Sequence, residues 1–391
     1  MKFLHRLQPK KQQTPTAYSL VDVGRDTVKA AVVLVLPGHA EPQVVGYGLA
    51  KTGNHDITGG RIEAEAAAPA VNQALTAAED STEQYIGQKV VPDDAVFAVA
   101  GRAIVGKLFT VEHKRPKPST PISAKEMNTV RLRAEKLVPP GLAEAVFEGG
   151  QWQPLAVTDA GTLLDDRLTM GVVGLTGRKI THSVFGVAAQ ASALRGLEVL
   201  ADAANLSIAN VVASPHALAS VAPHSEAIIL DIGLSGTDVC VIKQDALVAA
   251  DWIPFGGHFF TQSLAQATNL SAKAARTLKH AYGTGSLAAD RAENIAAKLD
   301  AALSRWYRAV IEVLRRVPNG PLPRRIYLTG GGSKLPGLER YLKIDPTPFS
   351  AAPEISALGA KSLPAIKDLT DSMDYKLMGL ALSLTVGLPE W

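Results

Sequence analysis

Three glycine turns, each directly behind an apolar run, constrain this chain more than any other feature. The first reads Asp22-Val23-Gly24-Arg25-Asp26-Thr27-Val28-Lys29, the second Asp231-Ile232-Gly233-Leu234-Ser235-Gly236-Thr237-Asp238, and the third Thr329-Gly330-Gly331-Gly332-Ser333-Lys334-Leu335-Pro336-Gly337. The first two open alike and lie about 200 residues apart, and an apolar run resumes after each, which predicts two hairpins of one build. A tight turn rich in Gly, Ser and Thr aims several backbone N–H groups at one point. Such a concavity suits phosphate oxygens, and glycine lets a ligand approach the backbone. A carboxylate at the strand end, Asp22 or Asp231, suits Mg²⁺ held through water, because this ion keeps most of its own waters. Gly330, Gly331 and Gly332 carry no side chains, so a flat adenine ring can lie against them. A single Asp-x-Gly turn is ordinary turn chemistry; three in this order point to one shared site.

The chain around these turns has 391 residues, more than one ordinary domain needs, so two lobes or more are expected. It is 47% hydrophobic and 20% charged, a globular composition, but aromatics are only 5%, so the core must rest on Ala, Val, Leu and Ile. A net charge of +3, with no basic stripe interleaved with aromatics, argues against nucleic acid as a partner. Cys240 stands alone, in an apolar run that reads as core, and the nine histidines never fall at metal-ligand spacing. No apolar leader follows Met1-Lys2, and no run approaches the ~18 apolar residues of a spanning helix.

Segment by segment, Tyr18 to Leu36 reads as the first hairpin and Ala70 to Gly87 as a helix. Ala95–Val99 and Ile104–Val111 read as short strands before a basic, proline-rich loop at His113–Pro121. Ser123 and Glu126 form a capping box for a helix expected to stop before Pro139-Pro140. Strand runs at Pro154–Val157 and Thr181–Ala189 precede a helix over Ala191–Ala204. The second hairpin spans Ile228 to Ile242. A helix from Ser271 is expected to end at Gly283 in a left-handed cap. A long amphipathic helix covers Ala288–Val317, a strand Arg325–Thr329, and a last helix starts near Asp374. Alternating strands and helices argue for an α/β fold.

The three turns resemble the two phosphate loops and the adenosine loop shared by actin, the heat-shock chaperone ATPases and sugar kinases. Further stretches are similar to the FtsA family of bacterial division proteins. They include "GGRIEAEAAAPAVNQALTAAE", "ISAKEMNTVRLRAE", "GLTGRKITHSVFGVAA", "IPFGGHFFTQSLAQATNLSAKAARTLKHAYG" and "IYLTGGGSKLPGLERYL". Together they reach from about Tyr18 to Leu382. PilM, an actin-like component of type IV pilus assembly, shares the motifs; Lys29, Leu270-Ser271 and "LPGLERYL" look as much like PilM as FtsA.

The resemblance implies an actin-like (ribonuclease H-like) two-lobed α/β fold. It divides into a leader over 1–16, subdomain 1A over 17–97 and 189–226, and an FtsA-type inserted subdomain 1C over 98–188. Subdomain 2A follows over 227–250 and 318–373, 2B over 251–317, and a helix over 374–391 returns to 1A. It implies ATP with Mg²⁺ in the cleft, the ion on Asp22 and Asp231 through water. The nucleotide would be held by Asp22, Gly24, Arg25, Thr27, Lys29, Asp231, Gly233, Ser235, Gly236, Thr237, Gly257, Arg276, Lys279, Gly330, Gly331, Gly332 and Lys334. The loops depart from the family pattern. Arg25 and Asp26 stand where small hydroxyl residues are usual, Leu234 replaces a glycine, and Gly236 replaces a hydroxyl residue. Arg276 takes the place of a ribose-binding Glu three residues before Lys279. No residue stands out as a general base, so the reading is an ATP-binding switch or pseudo-ATPase, at most a slow enzyme.

The implied role is to link the FtsZ filament to the inner face of the cell membrane at the division site. The protein would then be cytoplasmic and peripheral, self-assembling into filaments, with the FtsZ C-terminal tail docking near 251–317. FtsA proteins usually carry a C-terminal amphipathic helix, whereas the sequence here reads Leu388-Pro389-Glu390-Trp391 after the last expected helix. Residues 1–8, with Phe3, Leu4 and Leu7 on one helical face beside Lys2 and Arg6, are the alternative anchor, set against a plain disordered start. Two other readings stay open: a PilM-like component binding a short peptide of an inner-membrane partner, and a small-molecule kinase, which the worn loops disfavour.

Overall fold

The computed structural model describes residues 15–39, 41–52, 63–145, 151–169, 171–318, 320–359 and 366–389. Residues 1–14 of the expected leader, the Gly59-Gly60 pair and the last two residues lie outside them, while Thr16 already belongs to the first strand. The chain opens with β1 (Thr16–Val23), β2 (Thr27–Val35) and β3 (Gln43–Lys51), an antiparallel meander turning at Gly24–Asp26. Helix α1 (Ala64–Ile86) lies across this sheet. Its approach is very close: a Cβ at Gly46 or Gly48 of β3 would come within 2.3 Å of Ala78 O or 2.1 Å of Ala74 O. An alanine-rich helix on a glycine-bearing strand thus fills space that aromatics would fill elsewhere. Strand β4 (Asp94–Val99) then joins β1 in parallel.

A separate four-stranded sheet follows, built from β5 (Ile104–Lys114), β6 (Trp152–Leu164), β7 (Arg167–Leu168) and β8 (Lys179–Gln190) in the order β5-β8-β6-β7. Between β5 and β6 run α2 (Ala124–Lys136) and α3 (Val138–Ala145). Strand β5 runs on to Lys114, into the segment expected as loop. Ser123 does cap α2, accepting from Glu126 N at 3.1 Å, but Glu126 does not reach back. Its carboxylate is taken by Arg115, which also donates to the carbonyls of Pro118, Thr120 and Gly177 and so pins the loop. Helix α2 stops at Lys136, before Pro139-Pro140 as expected, and a new helix begins at once. The two prolines occupy the first turn of α3, where a missing N–H costs nothing.

The chain returns through α4 (Ala191–Ala203), β9 (Ser207–Ala213), which pairs with β4, and α5 (Ser214–Ser220). The second lobe repeats the opening: β10 (Ala227–Ile232), β11 (Thr237–Lys243) and β12 (Ala246–Ile253) form a second meander. Helices α6 (Gly257–Thr268), α7 (Ala272–Gly283) and α8 (Ala289–Arg315) follow. Then β13 (Arg325–Thr329) adds to β10 in parallel, α9 (Leu338–Leu342) intervenes, and β14 (Glu354–Ala357) closes the edge. Finally β15 (Lys367–Asp368) pairs with β3, and α10 (Tyr375–Ser383) packs against β1 and β2. Helix α8 buries Ile295, Leu299, Leu303, Trp306, Val310 and Leu314 against the second sheet, a single apolar stripe at helical spacing.

Two large cores result: one fills the first lobe and continues onto one face of the second sheet, where Cys240 is fully buried, and the other fills the second lobe. Helix α7 extends through Gly283 without a left-handed cap there; the positive φ, +70°, falls on Gly285 instead. Among the described residues no helix is long and apolar enough to cross a membrane.

Candidate functional site

A cavity of about 550 Å³ opens between the lobes. Its walls are the β1–β2 turn, the β4–β5 connection, the β10–β11 turn, one face of α7 and the Gly330–Gly332 loop. Sixteen of the seventeen candidate residues reach it: Asp22, Gly24, Arg25, Thr27 and Lys29 from the first turn; Asp231, Gly233, Ser235 and Gly236 from the second; Gly257, Arg276, Lys279, Gly330, Gly331, Gly332 and Lys334 from beyond. Thr237 does not reach it. It is fully buried, its hydroxyl donating to Phe255 O at 2.7 Å and accepting from Trp306 Nε1 at 3.1 Å, so it holds the turn against α8.

The two hairpins put charge on the cavity floor by register. Asp22 pairs across the ladder with Lys29, and Asp231 with Asp238, each pair flanking its turn. Lys29 Nζ donates to Asp22 at 2.6 Å. Burial alone would lower the lysine's pKa, but Asp22, with Asp231 and Asp26 behind it, outweighs burial and holds it above the usual value. Burial pushes Asp231 up to about 6 against the pull of Lys29. Burial, with Asp231 adding its charge, pushes Asp238 well up; it accepts from Gly101 N, on the other lobe, at 3.2 Å.

The glycines divide into two kinds. A side chain at Gly236 would meet Trp252 and Ile253 O at 2.4 Å, and one at Gly330, whose φ is +80°, would meet Asp231 Oδ1 at 2.2 Å. These two are required by the protein's own packing. At Gly233 and Gly331 the nearest atoms stand 3.5 and 3.9 Å away, so there the bare backbone faces the cavity.

The α7 wall carries Arg276, Lys279, His280 and Gly283, one helical face. Lys279 Nζ donates to Gly257 O at 2.6 Å, and burial, with Arg276 nearby, brings its pKa down to about 8. Arg276 pairs with Asp26 across the cleft. Lys51 joins the same carboxylate at 2.8 Å, and Lys334 pairs with Asp374 at the N-terminus of α10. Among the described residues, seven Lys and Arg side chains and four Asp line the cavity. The excess of cations, the open backbone at Gly233 and Gly331 and the volume together fit an anionic ligand the size of a nucleotide.

A family model of the cell division protein FtsA matches residues 228–376. Over 381 residues the chain is 25% identical to cell division protein FtsA of Rhizobium meliloti (strain 1021), covering 86% of this chain and 80% of that one. Identity with FtsA of Agrobacterium fabrum (strain C58 / ATCC 33970) is 30% over 180 residues, 39% of this chain and 41% of that protein. Among solved structures, a PilM–PilN type IV pilus biogenesis complex superposes with a TM-score of 0.60 at 20% identity, covering 96% of this chain and 97% of that one. The chain is similar to the FtsA and PilM proteins and has the actin-like fold.

Asp238 is the cavity residue that sequence reasoning missed. The hairpin register held the signal, since a four-residue turn sets position 238 opposite 231. Arg102 also lines the cavity, from the β4–β5 connection, and had no motif to announce it.

Proposed function

We propose that this FtsA/PilM-type chain is a nucleotide-binding switch of the FtsA kind, linking FtsZ filaments to the inner membrane surface and assembling with copies of itself. The observation that carries the reading is the FtsA family match over 228–376, the stretch that supplies the second turn, α7 and the glycine loop. The base of ATP would lie on Gly330–Gly332, with phosphates between Gly24 and Gly233 and cations from Lys29, Arg25 and Lys279. Among the described residues no three His, Cys, Asp or Glu side chains gather as metal ligands. Mg²⁺ would therefore be held mainly by the phosphates, with Asp22 and Asp231 reaching it through water. What the chain itself supplies is charge and position.

For the FtsZ tail, the second lobe offers a groove along α7 and the start of α8, floored by Leu270, Ala274, Leu278 and Leu287 and edged by Lys273 and Arg291. An extended peptide with apolar and acidic side chains suits that pattern. Membrane attachment would fall to residues 1–8, outside the described part.

The test is fluorescence anisotropy of a labelled C-terminal tail peptide from the host's own FtsZ. Saturable micromolar binding, weakened by Lys273→Glu, supports this role. The fold likeness to PilM over nearly the whole chain favours the second reading, pilus assembly. A flat titration with FtsZ tail, and saturation by a cytoplasmic peptide of an inner-membrane pilus protein, would select it.

A further inference from the structure

Asp26 stands at the tip of the first turn, between Lys51 and Arg276, and lines the cavity. One carboxylate oxygen takes the Lys51 ammonium and the other the Arg276 guanidinium, so the contact joins a turn of the first lobe to a helix of the second. Burial would raise its pKa, but hydrogen bonds from Lys51 and Arg276 outweigh that and keep it below the usual value. Asp26 is therefore an anion at neutral pH, holding two of the cleft's seven cations.

Helix α7 gives the scale. Arg276 touches Asp26, while seven residues on, Gly283 comes within 3.2 Å of Lys334 O at the glycine loop, counting from a Cβ placed on it. Seven helical residues rise roughly 10 Å along the α7 backbone, so the glycine loop and Asp26 face opposite ends of one wall. Asp26 lies two residues beyond Gly24 on the turn proposed to hold phosphates, so the outermost phosphate of a longer chain would meet its carboxylate or have to displace it from both partners.

Resting on the nucleotide reading above, we propose that Asp26 is a built-in anion filling one phosphate position, so that the cleft selects a nucleoside diphosphate over the triphosphate. Like charges a few ångströms apart in a partly dry cleft oppose binding by a factor of roughly 10 to 100.

The test is calorimetric titration of the full chain with Mg²⁺-ADP and Mg²⁺-ATP, on the wild type, Asp26→Asn and Asp26→Gly. Thermal melts establish that each variant is folded. The expected result is a wild type that binds ADP at least tenfold more tightly than ATP. Both variants should close that gap by gaining ATP affinity. A wild type that prefers ATP overturns the inference, as does an ADP preference that survives in both variants. Loss of ATP binding in both variants also overturns it and makes Asp26 a ligand to the phosphate-bound Mg²⁺. If no form binds either nucleotide, the nucleotide reading itself fails, a result distinct from all of these.

Discussion

Asp238 stands opposite Asp231 in the β10–β11 ladder, at the rung that Lys29 takes opposite Asp22 in β1–β2. One hairpin thus carries an ion pair at its base and the other two acids, and the ammonium of Lys29 acts on both Asp22 and Asp231. Its side chain is 14% exposed and that of Asp22 7%. Replacing Lys29 by Met leaves Asp22 buried without its partner. The expected loss is about 3 kcal/mol, measured by urea unfolding, with a smaller loss in the double variant Lys29→Met, Asp22→Asn.

Two groups give the folded state opposite dependences on pH. Asp231 holds its proton to about pH 6 when folded, against an ordinary 3.8, so it lowers stability as pH rises from about 4 to 6. His216, half-buried beside Thr158 and brought down to about 4, stays neutral when folded, so stability is lost as pH falls from 6.5 towards 4. Each effect is worth up to about 3 kcal/mol, and in the wild type they largely cancel. Asp231→Asn should leave a protein whose stability climbs with pH across this window. His216→Gln should leave one whose stability falls, in both cases followed by chemical denaturation between pH 4 and 7.

The two kinds of glycine separate folding from ligand contact. Gly236→Ala drives a methyl group into Trp252 and the Ile253 carbonyl and should cost about 2 kcal/mol in unfolding. Gly233→Ala meets only an ordinary contact at 3.5 Å, so its melting temperature should stay close to wild type while nucleotide affinity drops. Equal destabilisation by both would remove the distinction.

Lys279, with its pKa near 8, is charged at pH 7 and loses its proton just above. Nucleotide affinity should therefore fall between pH 7.5 and 9 in the wild type, by roughly tenfold for the loss of one phosphate-facing charge. Lys279→Arg should hold its affinity across that range, read by titration at each pH.

Much of this architecture is written locally. An apolar run ending in Asp-x-Gly and resuming at once has few options besides a hairpin, and both turns fell where that pattern put them. The stripe of α8 and the strand before Gly330 were equally plain, because periodicity and a glycine stop are short-range signals. What could not be read was pairing at a distance. Asp26 and Arg276 are 250 positions apart, and nothing near either one tells of the other. Thr237 looked like a phosphate contact because it closes a Gly-Ser-rich turn. Its true neighbours, Phe255 and Trp306, arrive from elsewhere in the second lobe. Gly283 looked like a helix cap, but α7 runs through it to a cap at Thr284, with the positive φ on Gly285.

The carbonyl of Lys376 accepts from both Gly330 N at 2.7 Å and Thr329 Oγ1 at 3.1 Å, and Lys334 grips Asp374 just ahead of it. Helix α10 is thereby riveted to the glycine loop at one end while its body rests on β1 and β2. Any rotation of the second lobe must carry this rod with it, or shear those rivets. The glycine loop is in effect the handle of a lever whose far arm lies under the first hairpin.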